Sequence, residues 1–254
     1  MNINKLIEIV KEADEILFKG ILQSDIYKKG DSDYVTKADI EISKRLEKRL
    51  KEEYPEVGFI SEEEKSSAER GKDYWILDPI DGTTNFMHSS GFCCVSLALY
   101  SGGEVTAGII YAPYHNEMFH AELGKGAYLN GERIYCSEHK NFSDCLGMIE
   151  YNPYFKSDYK TALEQAYKIY SNLQDIRTFG AAALELAYVA SGRADAFLGR
   201  YLKPWDFAAG MLIIEEAGGK VSELSSDIDM FRLNSHIVAT NGNIHDDFLT
   251  LLRS

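Results

Sequence analysis

Residues 75–86 read Trp75-Ile76-Leu77-Asp78-Pro79-Ile80-Asp81-Gly82-Thr83-Thr84-Asn85-Phe86. The apolar run Trp75, Ile76 and Leu77 predicts a short buried strand. Asp78 follows, then Pro79, which fixes φ and has no N–H to give to a sheet ladder. After Ile80 come Asp81, Gly82, Thr83 and Thr84: a carboxylate, a residue with wide backbone freedom, and two hydroxyls with adjacent N–H groups. Two carboxylates beside a turn suit a hard divalent cation such as Mg²⁺, which takes oxygen ligands and keeps some of its water. N–H groups exposed after Gly82 suit a phosphate. A lone Asp-Pro-x-Asp would read as a turn whose carboxylates cap the next segment. The Gly-Thr-Thr run turns the reading to a metal-and-phosphate site.

Working outward, 254 residues can bury a sizeable core, as one large domain or two closely packed halves. A net charge of −13 argues against nucleic acid or an anionic membrane surface as the main partner. It also opposes an anionic substrate, unless cations bound at the acidic stretch reverse the field locally. Cys93, Cys94, Cys136 and Cys145 make no CxxC pair and no zinc spacing. Cys93 and Cys94 lie in an apolar run and read as small core residues in a reducing compartment. The charged opening MNINKLIEIVKEADEI is no signal peptide, and no run approaches about 18 apolar residues. A cytoplasmic protein is the expectation.

Leu6, Ile7, Val10, Ala13, Ile16 and Leu17 predict one amphipathic first helix, with Gly20 at or just past its end. Residues 28–32, KKGDS, form a polar segment, either a solvated loop or a flap over a site. A second helix is expected from Ala38 to Glu53 and a strand from Val57 to Ile60, delivering Ser61-Glu62-Glu63-Glu64 at its end. From Cys93 to Glu122 the pattern is antiparallel sheet with a Ser101-Gly102-Gly103 turn, and Tyr128 to Ile134 form another hairpin about an Asn130-Gly131 turn of type I′. Beyond Asp144 strands alternate with helices. Pro204-Trp205-Asp206-Phe207 runs into one such helix, where Asp206 occupies an N-cap position, and two strands, Lys220 to Glu223 and Ile237 to Thr240, and a final helix close the chain. The expected division is residues 1–143, an α+β half carrying most of the acidic site, and residues 144–254, an α/β half.

Periodicity alone cannot bring Glu62, Asp78, Asp81 and Asp206 together. A resemblance does. WILDPIDGTTNF, together with FISEEE before it and PWDFAAG after it, resembles the inositol monophosphatase family of Mg²⁺-dependent, lithium-sensitive phosphatases. DYVTKAD near the N-terminus and EAGG after the WD helix follow in the family's order. The resemblance implies a layered α-β-α-β-α sandwich of the inositol monophosphatase and fructose-1,6-bisphosphatase type, commonly homodimeric. It implies that Glu62, Asp78 and the Ile80 carbonyl hold one Mg²⁺. Asp78, Asp81 and Asp206 hold a second, and a third, looser ion shares Glu62. Gly82 and Thr83 offer N–H groups to the phosphate, while Thr83 paired with Asp39, assisted by Glu62, orients and deprotonates a water. Haloacid-dehalogenase-type phosphatases place an aspartate nucleophile in DxDGT; here Asp78 and Asp81 are three apart, not two, so that motif does not fit.

Substrate preference is less determined. Animal members carry a glutamate seven residues before the WD aspartate, and here that position is Gly199. Arg200, Tyr201 and Lys203 are candidates either for a second phosphate contact or for a solvated basic loop. Ala182 falls where the family lines its substrate pocket, and the family's loop lysine corresponds to Lys28 or Lys29. The expected activity is hydrolysis of inositol monophosphate or a similar small sugar phosphate. The alternatives are fructose 1,6-bisphosphate, NADP(H) or 3′-phosphoadenosine 5′-phosphate as substrate, or, in another class, a catalytically silent metal- and phosphate-binding regulator.

Overall fold

A computed structural model of the chain describes residues 1–19, 26–28, 34–63, 69–151 and 158–254. The first expected helix is two. Helix α1 (Ile3–Lys11) starts where the Asn2 side chain accepts from the N–H groups of Asn4 and Lys5, and after a turn α2 (Asp14–Leu17) continues. Together they bury Leu6, Ile9, Val10, Ala13, Ile16 and Leu17 on one face. Gly20 and residues 29–32 of the KKGDS segment, Lys29 among them, lie outside the described residues; Lys28 is backbone in a strand. That strand, β1 (Ile26–Lys28), pairs antiparallel with β2 (Tyr34–Thr36). Thr36 then opens α3 (Lys37–Glu53) with a capping box in which Asp39 reaches back to the Thr36 N–H.

Strand β3 (Gly58–Ser61) pairs parallel with β4 (Tyr74–Asp81), every residue of which is buried. Here the structure corrects the reading of Pro79 as the end of the strand. The strand crosses the proline: Asp78 pairs with Ser96 and Asp81 with Cys94, so three steps on β4 match two on its neighbour. A missing N–H costs one rung of the ladder, and a bulge absorbs it. The short helix α4 (Thr83–Met87) follows, then β5 (Cys94–Ser101), β6 (Glu104–Ala112), β7 (Glu117–Glu122), β8 (Gly126–Leu129) and β9 (Glu132–Arg133). Asn130 and Gly131 both take positive φ (51° and 87°), as a type I′ turn requires. These strands form one sheet in the order β3-β4-β5-β6-β7-β8-β9.

The second sheet begins with β10 (Leu146–Glu150). Helix α5 (Tyr159–Asn172), β11 (Asp175–Arg177), α6 (Ala182–Ala190), β12 (Ala196–Leu202), α7 (Pro204–Glu216), β13 (Lys220–Glu223), β14 (Ser235–Thr240) and α8 (His245–Arg253) follow. Its order is β11-β10-β12-β14-β13, parallel across β11-β10-β12 and antiparallel beyond.

Three apolar clusters show why the layers stack. Leu6, Ile42, Leu46 and Leu50 of the N-terminal helices cover one face of the seven-stranded sheet through Trp75, Leu77 and Ile109. The opposite face of that sheet (Ile76, Ile110, Phe119) meets α6 and α7, which also cover Met148, Phe197 and Ala239 of the second sheet. The outer face of the second sheet (Ile149, Leu198, Val238) is covered by Ile169 of α5 and Phe248 of α8. The result is the α-β-α-β-α sandwich. Helices α6 and α7 are apolar nearly all round because they have a sheet on either side. The approach is close: a Cβ at Gly108 of β6 would stand 2.8 Å from the Ala209 carbonyl oxygen of α7.

Candidate active site

The bulge at Pro79 places Asp78 and Asp81 at the C-terminal end of β4, both buried. Asp78 Oδ1 accepts from the Ile80 N–H at 3.0 Å. Gly82 follows at φ 87°, left-handed, and frees the chain to turn into α4, whose first N–H groups have no partner one turn back. Thr83 Oγ lies 3.0 Å from the Ile80 carbonyl oxygen and 3.4 Å from Asp39 Oδ1, so one hydroxyl spans both. The other Asp39 oxygen takes the N–H and hydroxyl of Thr36, which fixes the carboxylate at the start of α3.

Helices α6 and α7 contribute as well. Asp206 is not the N-cap expected from the sequence but the third residue of α7. Pro204 takes the first position, where its missing N–H is no loss. From there Asp206 Oδ2 reaches back to the Lys203 N–H at 2.7 Å. Asp81 links β4 to α6: its oxygens accept from the N–H groups of Ala182 (3.2 Å) and Ala183 (2.8 Å), at the start of that helix. Asn85 makes a second link, donating to the carbonyl of Phe92 and to those of Phe179 and Gly180.

Electrostatics define the cluster. Burial, and then the charges of Glu62, Asp81, Asp206 and Asp39, push the Asp78 carboxyl well above the usual carboxylate range. Burial raises Asp81 to about 6 against the opposing N–H bonds from α6. Asp206 rises to about 7 through burial, with Asp81 adding to it and the Lys203 N–H opposing. Glu62 follows directly after β3 and its charge is felt at Asp78 and Lys203. Among the described residues, no three His, Cys, Asp or Glu side chains already close around one point as a finished metal cage. Asp39, Asp78, Asp81 and Asp206 each accept from at least one backbone N–H. In kind the set fits a hard divalent cation: four carboxylates and the Ile80 carbonyl, all oxygen donors, with a charge excess that protons or cations must relieve.

The expected substrate contacts divide. Lys203 faces the cluster: Asp206 and Glu62 act on its ammonium, and its Nζ also meets Asn234 Oδ1. Ala182 lies at Asp81, with its N–H engaged there. Gly199 is packed over, since a Cβ would meet Leu202 Cδ1 at 2.5 Å and Phe197 Cζ at 2.7 Å. Arg200 stands elsewhere. Its guanidinium is buried against Gln165 and Asp158 at α5, and Tyr201, at φ 58°, bonds the same Asp158. Two carboxyl groups that the sequence reading passed over, Glu150 and Glu185, lie within the field of Asp81. Their signal was an acidic residue inside or ending an apolar run, LGMIE and AALELAYVA. A separate groove of about 560 Å³, lined by Arg70, Tyr100, Met211 and Phe231, contains none of the cluster.

Comparison with known proteins agrees with this geometry. Residues 2–254 match the inositol monophosphatase family. An inositol-1-monophosphatase of Caulobacter vibrioides is 37% identical over 98% of this chain and 100% of its own. A fructose-1,6-bisphosphatase/inositol-1-monophosphatase of Thermotoga maritima is 36% identical over 89% of this chain and 84% of its own. The crystal structure of extragenic suppressor protein suhB from Bartonella henselae superposes with a TM-score of 0.92 at 36% identity, covering 99% of this chain and 98% of the other. With the family match running over residues 2–254 and relatives more than 30% identical along nearly the whole chain, the chain belongs to the inositol monophosphatase family and is a phosphatase.

Proposed function

We propose that this chain is a Mg²⁺-dependent phosphomonoesterase that hydrolyses inositol monophosphate or a similar small sugar phosphate with water as nucleophile. The observation that carries the reading is the meeting of Asp78, Asp81, Asp206 and Glu62 in one electrostatic cluster, with Thr83 Oγ beside Asp39. Glu62, Asp78 and the Ile80 carbonyl would hold one ion, Asp78, Asp81 and Asp206 another, and Glu62 would share a third. Bound there, divalent ions supply a water that ionises near neutral pH and neutralise charge on the phosphate. The protein's own groups do the rest. Thr83 orients the water and passes its proton toward Asp39 Oδ1, which lies 3.4 Å from its hydroxyl. Gly82 and Thr83 turn N–H groups to the phosphate. The halves 1–143 and 144–254 meet at Asp81, so the site completes only when α6 and α7 are docked.

Among substrates, the position of Arg200 weighs against a second phosphate contact there, which favours a monophosphate. Lys203 and the double name of the Thermotoga maritima relative keep fructose 1,6-bisphosphate as the second reading. The test is phosphate release with Mg²⁺ from inositol 1-phosphate, fructose 1,6-bisphosphate, NADP and 3′-phosphoadenosine 5′-phosphate. Inositol 1-phosphate is expected to give the highest kcat/KM; a clear preference for a bisphosphate or a nucleotide overturns the substrate assignment. The metal assignment has its own check. A cation at 100 times its Kd adds about 2.7 kcal/mol to folding stability, so Mg²⁺ should raise the Tm by several degrees. Asp206→Asn should remove more than half of that rise, and an unchanged Mg²⁺ response would show that Asp206 is not a ligand.

A further inference from the structure

Glu150 and Glu185 have no part in the reading so far, yet both face the layer where the site is built. Glu150 ends β10 and pairs in register with Gly199 of β12. Parallel partners in register share a face of the sheet, and alternation sets which face. Two residues earlier, the partners Met148 and Phe197 both pack into the cluster of α6 and α7. The Glu150 side chain therefore projects toward the helices that carry Glu185 and Asp206. The charges of Glu185, Asp81 and Asp206 all act on it.

Both carboxyls are incompletely bonded. Glu185 has no exposed surface; its Oε1 takes the N–H groups of Phe179 and Gly180, while its Oε2 is buried without a donor. Glu150 Oε2 is likewise buried without a donor, although Glu150 as a residue is only half-buried. An unbonded buried carboxyl oxygen is a cost to folding that a core would normally not carry. Neither the core nor the first sheet needs an acid here. Of the two, Glu150 is the one that keeps some exposed surface, and what its buried oxygen lacks is a donor. A second phosphate would meet a wall of carboxylates, whereas a hydroxyl brings a donor with no charge.

We infer that Glu150 is a specificity-determining residue that accepts a hydroxyl of the substrate's polyol portion, with Glu185 behind it as a positioning residue. The inference rests on the phosphomonoesterase reading above and gives it a substrate class: esters whose alcohol carries free hydroxyls close to the phosphate. Selectivity between neighbouring alcohols then comes from a buried acceptor left unpaired by the wrong ester.

The experiment compares kcat and KM for inositol 1-phosphate and for p-nitrophenyl phosphate, an aryl ester with no such hydroxyl, in wild type, Glu150→Ala, Glu150→Gln and Glu185→Gln. The ratio of the two kcat/KM values should fall about 10- to 100-fold in Glu150→Ala, chiefly through the KM for inositol 1-phosphate. Glu150→Gln keeps an acceptor and the volume, and should fall less. Glu185→Gln should shift the same ratio a few-fold, again in KM rather than kcat. A ratio within about 2-fold of wild type in both Glu150 variants overturns the inference. Equal losses on both esters with a raised Mg²⁺ requirement overturn it too, and would assign Glu150 to the metal. Failure of the wild type itself on inositol 1-phosphate strikes the reading beneath, and is seen before any variant is made.

Discussion

Asp81→Asn is expected to lower turnover by roughly 10³-fold or more, the largest effect of any single-atom exchange in this site. The substitution keeps the size and shape of the side chain but removes a charge from the centre of the acidic cluster. It also converts one acceptor into a donor facing a backbone N–H at the start of α6. The folding cost is smaller, because losing one buried hydrogen bond is opposed by losing a buried charge that its surroundings disfavour. Turnover and thermal stability should therefore separate: phosphate release nearly abolished, Tm within several degrees of wild type. Turnover within 10-fold of wild type would remove Asp81 from the reaction. A regulator that merely binds metal and phosphate would keep its response to a partner in this variant.

Gly82→Ala carries the second large effect, and here stability and activity fall together. Gly82 sits at φ 87°, where an L-residue costs about 1–2 kcal/mol. A Cβ there would lie 2.8 Å from the Phe92 carbonyl oxygen and 3.1 Å from Ala181 Cβ. Backbone on one side and the approach to α6 on the other leave no flexible group to yield, which adds about 1–3 kcal/mol. A combined loss of roughly 2–5 kcal/mol corresponds to a fall in Tm on the order of 5–15 °C. Phosphate release should drop as well, since the turn that aims Thr83 moves with it. A melting curve superimposable on wild type would contradict the packing described at this turn.

The stretch 75–86 carried much of the fold because it combines a buried strand, a turn and a helix start in twelve residues, each with its own local chemistry. What it hid is equally physical. Pro79 reads as a strand end, and only the neighbouring β5 shows that a bulge carries the pairing across it. Asp206 reads as a cap because aspartates at the N-cap and at the third position both bond N–H groups of the helix start, the first those of the second or third residue and the second that of the N-cap; Pro204 decides between them. The strand β11 is three residues at a sheet edge with no apolar alternation, so nothing local announces it. Arg200 reads either as a contact for a second phosphate or as part of a solvated basic loop. Its partners Asp158 and Gln165 are some 40 residues away in sequence, beyond the reach of any periodicity. Glu150 and Glu185 were visible as acids in apolar runs, but their convergence depends on the register of β10 with β12.

The shared middle layer has a consequence for how the protein is made. The seven-stranded sheet is complete in the sequence at Arg133, whereas the helices that cover its inner face end only at Glu216. At about 5–20 residues per second, a ribosome needs roughly 4–17 s to synthesise the intervening chain. Through that interval Ile76, Ile110 and Phe119, fully covered in the finished protein, have nothing to rest on. The nascent chain thus presents an apolar sheet face to the cell before it has a site at all, a window in which a chaperone, rather than the second half of the molecule, is its natural cover.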